Sequence, residues 1–171
     1  IIGYMSENLR RNVNVFRPFY SDMYKTAIFS KPRFKLEDSH LVLFENPFSS
    51  IEDYEHFLDN DREVLEQLGQ HDFHYQRRYG DNALDFLPSV RFGTLVWYAA
   101  NVRVMQPVFT LGGTYDVSSE AYQITVKLFD SFYRQVLEDG ALPIILIYPD
   151  THDHARSRAG RSSRYAPLIE Y

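Results

Sequence analysis

Residues 120–150 read EAYQITVKLFDSFYRQVLEDGALPIILIYPD, and their pattern decides the fold. Ser118 or Ser119 stands where an N-cap is wanted. Tyr122, Thr125 or Val126, Phe129, Phe132 or Tyr133, and Val136 then recur on one helix face, and Gly140 supplies a stop. After a three-residue connection, Ile144-Ile145-Leu146-Ile147-Tyr148 runs without a polar break and is closed by Pro149. A helix, a short loop and a strand apolar on both faces form half of a parallel-sheet unit. The expected class is α/β, with the strand buried on both sides.

A second strand is predicted at the other end of the sequence. Ile1 to Gly3 reads as the end of a buried strand stopped by glycine, and Ser6 or Glu7 then opens a short helical turn. Arg17-Pro18 imposes an extended path on residue 17. Both predicted strands therefore run into polar segments. Gly3 leads to an Asn- and Arg-rich stretch, and Pro149 leads to THDHARSRAGRSSR, read as a loop. In open α/β sheets ligands sit outside the carboxyl ends of strands, so these two segments are the functional candidates.

Residues of about 15–117 carry their own elements. RFKLEDSHLVLFEN, residues 33–46, alternates around Glu37-Asp38-Ser39 and predicts a hairpin. Ser49 and Glu52 have capping-box spacing before a helical stripe that ends at Gly69. Residues 71–82 have no stable period and read as loop, and Ala83 to Val104 reads as a helix broken near Pro88. This middle region is expected to be a large insertion or cap within a single domain spanning 1–171. Phe16, Phe19, Tyr20 and Tyr24 read as packing residues within it.

Composition narrows the classes. Hydrophobic residues at 44% and charged residues at 24% describe a folded domain rather than a disordered chain. A net charge of -5 removes the broad basic footprint of a nucleic-acid binder. No apolar run reaches the roughly 20 residues of a membrane-spanning helix. The absence of Cys excludes disulfides, thiolate nucleophiles and Cys-ligated zinc.

Local motifs are sparse. The sequence has no Gly-rich phosphate loop, no G-x-S-x-G elbow and no H-E-x-x-H. His152, Asp153 and His154 are the one local cluster with metal-ligand residue types, and a solvated surface is its simpler reading. No metal and no cofactor is assigned. Arg156, Arg158, Arg161 and Arg164 form a basic stretch that reads as mobile surface or as an anion-binding lid. Asn8, Asn12 and Asn14 follow the first strand. Each either satisfies turn backbone or presents an amide N–H to a developing oxyanion.

Two stretches carry a family resemblance. IIGYMSENLRRNVNVFRPFY, with KPRFKLEDSHLVLFENP at residues 31–47, resembles the middle of a bacterial subgroup of SGNH/GDSL hydrolases. Residues 120–150 resemble the later helix and strand of the same fold. The resemblance implies a three-layer α/β/α sandwich with a parallel sheet, flavodoxin-like, present in part and carrying the large insertion. It implies a serine esterase or acyl hydrolase acting on a small-molecule or acylated carbohydrate ester, with the chain an internal fragment. Gly3 and Asn8 match the strand end and the oxyanion-hole Asn, with G-x-N-D stretched to G-Y-M-S-E-N and Asn12 as the fallback. Arg11 and Arg17 are the substrate-binding candidates. No GDS Ser and no D-x-x-H base occur in these residues, so the nucleophile and base are expected outside them, and the fragment alone is expected to be inactive. Two alternatives differ in class: a non-catalytic binding or assembly protein on the same scaffold, and a metal-dependent hydrolase using His152, Asp153 and His154.

Overall fold

A computed structural model describes residues 1–20, 29–75, 84, 86–103, 110–111 and 113–171. The architecture is mixed α/β, with three two-stranded sheets among the described residues. The backbone divides into two compact units. Ile1–Asn12, Leu36–Leu41 and Val108–Tyr171 form the first; Val13–Lys35 and Val42–Pro107 form the second. No described helix is long and apolar enough to cross a membrane.

The first unit contains both predicted strands, and they pair with each other in parallel. Strand β1, Ile2–Met5, lies beside the strand at Ile145–Tyr148, with Ile2 opposite Ile145, Gly3 opposite Leu146, Tyr4 opposite Ile147 and Met5 opposite Tyr148. Gly3 is thus a strand residue and not the strand's end. A Cβ on Gly3 would lie 3.0 Å from Tyr148 Cε2, so the glycine makes room for a ring from the neighbouring strand. Helix α1, Ser6–Arg11, follows β1 directly.

The long helix at Glu120–Glu138 begins at Ser119, whose side chain accepts from Tyr122 N–H. It ends as the Gly140 prediction requires. Gly140 adopts φ 73°, its N–H donates to Leu137 O, and Ala141 N–H donates to Val136 O. That pair of bonds satisfies two carbonyls that the helix itself leaves unpaired. Leu9, Ala121, Ile124 and Thr125 are essentially fully buried. Leu9 and Ile124 each contribute roughly 1.5–3 kcal/mol by leaving water.

Burial of the parallel pair is one-sided, which corrects the expectation of a strand covered on both faces. Tyr4 is 3% exposed and packs edge-on against Phe129 and Tyr165, at ring-centroid distances of 5.3 and 6.3 Å. Met5, Leu146 and Tyr148, on the opposite face, are 46%, 43% and 52% exposed. The packing supplied by the described residues lies on the Tyr4 side, and period-2 alternation follows from it.

The hairpin forms as predicted. β2, Arg33–Glu37, pairs with β3, His40–Phe44, through Asp38 and Ser39, both at positive φ (46° and 66°). Two such residues make the turn whose twist matches a two-residue hairpin.

In the second unit the predicted 50–69 helix is two helices, Ile51–Asp59 and Asp61–Gln70, divided at Asn60 (φ -133°, ψ 41°). The capping box is one residue later than predicted. Asp53 N–H donates to Ser50 Oγ, and the Asp53 carboxylate accepts from Ser49 and Ser50 N–H. Gly69 is not a stop; it lies inside the second helix, where a Cβ would fall 2.0 Å from the Tyr75 ring. Pro18 sits in the first turn of the short helix Arg17–Tyr20, so residue 17 is helical and not extended. A first-turn proline gives up no needed N–H. Pro88 likewise opens the helix Pro88–Arg103 and does not break it. Residues 76–82 of the predicted loop, Ala83, Val104 and Tyr24 lie outside the described residues, while Phe73–Tyr75 is a helical turn.

Val15, Phe16, Phe19, Phe48, Phe57, Val64 and Leu68 make one core cluster, so Phe16 and Phe19 are packing residues as predicted. Phe16 meets Phe19 edge-on at 5.1 Å. Beside this core lies Asp72, 1% exposed. Its Oδ2 accepts from Asn14 Nδ2 and Val15 N–H, both at 2.7 Å, and its Oδ1 accepts from His74 N–H (2.8 Å) and Tyr75 N–H (3.1 Å). A buried carboxylate persists here because several donors surround it.

Candidate functional site

Because β1 and Ile145–Tyr148 run parallel, their carboxyl ends meet at one edge of the first unit. α1 leaves from one strand. From the other leaves Asp150 and a helix at Thr151–Arg158, where a loop was expected. That helix lacks an apolar stripe and is fixed by its ends. Asp150 Oδ1 accepts from His152 and Asp153 N–H at 2.8 and 3.0 Å, and Asp153 Oδ2 accepts from Asp150 N–H at 2.8 Å. At the far end Gly160, at φ 65°, supplies the left-handed stop.

Asp150 also joins the two strand ends. Its Oδ2 accepts from Ser6 Oγ at 3.2 Å and lies 3.5 Å from Arg164 Nη1. Arg164 Nε sits 2.5 Å from Asp153 Oδ1, an ion pair without hydrogen-bond alignment. The Tyr165 hydroxyl donates to Tyr148 O at 3.2 Å. Burial alone raises the Asp150 carboxyl pKa. The Asp153 N–H, the Arg164 charge, the Ser6 hydroxyl and the His152 N–H outweigh it and hold the pKa below the ordinary aspartate range. Burial pushes the Tyr165 phenol up, and the Asp153 charge adds to that. Tyr4 and Tyr115 are raised mainly by burial, so these phenols stay neutral.

Asn8 lies in the first turn of α1 and is half-buried. Its Oδ1 accepts from Met5 N–H at 3.1 Å, which fixes the side chain and leaves Nδ2 without a partner among the described residues. The other two Asn are committed internally. Asn12 Nδ2 donates to Thr125 Oγ1 at 2.9 Å; Asn14 Nδ2 donates to Asp72 and to Phe16 O. Of the three, Asn8 alone has an Nδ2 that makes no hydrogen bond among the described residues; Asn12 Nδ2 uses one of its two N–H groups and Asn14 Nδ2 both. Arg11 is exposed, three residues along α1 from Asn8 and so on a neighbouring part of the helix surface. Arg17 opens its short helix in the second unit, with its N–H on Phe29 O.

The remaining candidates resolve differently. Ser6 gives its hydroxyl proton to a carboxylate, which is not the Ser–His pairing of an activated nucleophile. His152 and His154 are exposed, while Asp153 is buried and turned to Arg164. Among the described residues no group of three or more His, Asp or Glu is placed to hold a metal ion. Two of the four arginines hold their own segment. Arg164 pairs with Asp153, and Arg156 Nη2 donates to Ser162 O while its guanidinium covers Gly113.

The Ser6–Asp150–Arg164 network was not singled out from the sequence. Its available signal was Asp150-Thr151-His152-Asp153, capping-box spacing directly after a strand. Comparison of the chain with family profiles, with curated proteins and with solved structures returns no match.

Proposed function

We propose that this chain is the internal part of an SGNH/GDSL-type serine esterase or acyl hydrolase acting on an ester of a small molecule or carbohydrate. In this reading a Ser nucleophile and a His base come from segments beyond residues 1–171. The Ser hydroxyl adds to the acyl carbon as the His takes its proton. Charge then develops on the former carbonyl oxygen, and Asn8 Nδ2 donates a hydrogen bond to it. The observation that carries the reading is the Asn8 amide, clamped through Oδ1 at the carboxyl end of a parallel strand with its nitrogen uncommitted. Arg11, exposed on the same short helix as Asn8, would contact the substrate. The second compact unit, Val13–Lys35 and Val42–Pro107, falls within the middle region read as an insertion, while Leu36–Leu41 belongs to the first.

Asn8→Asp is the sharpest test, made in the full-length protein with p-nitrophenyl acetate. Aspartate keeps the Oδ1 acceptor for Met5 N–H, removes the N–H donor and adds a negative charge that would face the developing oxyanion, so Asn8→Ala is made beside it to remove the donor without adding charge. Turnover is expected to fall about 100-fold or more with thermal stability nearly unchanged, and Asn8→Ala is expected to fall as far. Unchanged turnover in both variants removes Asn8 from the mechanism. A full-length protein that neither cleaves acyl esters nor reacts with a fluorophosphonate favours the non-catalytic binding protein instead.

A further inference from the structure

The second unit contains a cleft of about 340 Å³, within the span of small-molecule sites, ~300–1,000 Å³. Phe44, Phe48 and Leu68 give it an apolar wall; Asp53, His56, Gln67 and His71 supply polar groups. The hydrogen bonds these groups already make define what they still offer.

Lys35 Nζ lies 3.2 Å from His71 Nδ1. An ammonium only donates, so Nδ1 is the acceptor and the His71 proton resides on Nε2. Burial first, then the charges of Lys35 and Arg33, lowers the His71 pKa and keeps the ring neutral. Asn60 Nδ2 meets His56 Nδ1 at 3.1 Å in the same sense, which makes His56 Nε2 a second donor. Gln67 Nε2 gives one of its two N–H groups to Glu63, and on the acceptor side Gln67 Oε1 makes no hydrogen bond among the described residues. Asp53 Oδ2 is taken by Ser49 and Ser50, and Oδ1 has no partner among the described residues.

We infer that this cleft binds a neutral, hydroxyl-rich ring, a saccharide unit. N–H donors and oxygen acceptors gathered in one cleft match hydroxyls, which both donate and accept. An anion meets the Asp53 carboxylate with no Lys or Arg in the lining. A flat heterocycle finds little bare aromatic face. Phe44 is stacked on His71 at 4.2 Å, and Phe48 is 5% exposed, covered by Tyr54 and Phe57. The inference stands on the second unit alone and is independent of the role given to Asn8.

The test is an NMR titration of the isotope-labelled full chain. The probes are methyl glucoside, methyl galactoside and methyl mannoside, with adenosine as a flat comparator and citrate as an anionic one. At least one glycoside is expected to give saturable shifts of the His56, Gln67 and His71 side chains, with a dissociation constant on the order of 1 mM. His56→Ala and Gln67→Ala alter exposed side chains and should each weaken that binding by about tenfold while leaving the rest of the spectrum in place. Three outcomes each overturn the inference: no saturable shift with any glycoside, shifts undiminished in both variants, or tighter binding of adenosine or citrate.

Discussion

Asn14 and Asp72 are 58 residues apart in sequence, and Asn14 Nδ2 donates to Asp72 Oδ2 at 2.7 Å inside the second unit. The same carboxylate accepts Val15, His74 and Tyr75 N–H, so it fixes the chain where it enters the unit to the segment that follows the Asp61–Gln70 helix. Asp72→Ala strands several buried donors at once. The expected loss is about 4 kcal/mol of unfolding free energy, measured by urea denaturation, because each buried donor left without an acceptor costs roughly 1–3 kcal/mol. A loss below about 1 kcal/mol would sink this account of the unit's stability.

Asp72 also shows what the sequence could not display. In the sequence HDFHY it is one polar residue in an aperiodic stretch, because its meaning lies in donors that arrive from residue 14. The Glu120–Glu138 helix and the parallel strand after it were legible because cap, stripe and Gly140 stop are local signals that agree. The Thr151–Arg158 helix was not, since two Asp side chains set it and no apolar period marks it. Gly3 and Gly69 look like stops because a glycine in sequence does not reveal the ring packed against it. Residue types leave Asn8 as one of three Asn, and the resemblance points to Asn8 with Asn12 as the fallback; the bonds made by Asn12 and Asn14 then separate it from both.

His71 carries a titration that its surroundings make testable. Burial is the main cause of its lowered pKa, followed by Lys35 and Arg33. The folded state therefore binds this proton less readily than the unfolded chain. The stability contributed is full above the unfolded pKa near 6.5 and is lost as pH falls through the folded value. NMR should place the His71 midpoint below 6.5, and Lys35→Met should raise it while leaving it depressed, since burial remains. A midpoint in Lys35→Met equal to the wild-type value would show that the ammonium has no effect on the ring.

The two glycines read as stops should respond unequally to alanine. In Gly69→Ala the new Cβ falls 2.0 to 2.5 Å from Tyr75 Cδ1, Cε1 and Cγ, with that ring held at 4.7 Å from Phe19. The ring must leave its packed position, at a cost of about 2–3 kcal/mol. In Gly3→Ala the nearest atom is Tyr148 Cε2 at 3.0 Å, on a ring 52% exposed that can swing away. There the expected change is below about 1 kcal/mol. Equal losses in chemical denaturation would contradict the packing assigned to Gly69.

Ser6 and Asp150 tie the two strand ends together, and the bond should be visible as pH dependence. Asp150 sits below its ordinary value of 3.8 because Asp153 N–H, Arg164, Ser6 and His152 N–H together outweigh the opposing effect of burial. A depressed carboxyl contributes stability above the unfolded pKa and loses it as pH falls through the folded one. Asp150→Asn retains an oxygen for the helix cap and removes the charge facing Arg164. Wild type should therefore be more stable than Asp150→Asn at pH 5 to 7, by no more than about 1 kcal/mol because the side chain is 39% exposed, and the gap should close as pH falls through the lowered folded-state midpoint. Ser6→Ala should move the Asp150 midpoint upward in a carboxyl-carbon NMR titration. If the midpoint does not move, Ser6 does not hold Asp150, and the first turn of α1 is fixed by the Asn8–Met5 bond and the burial of Leu9 without it.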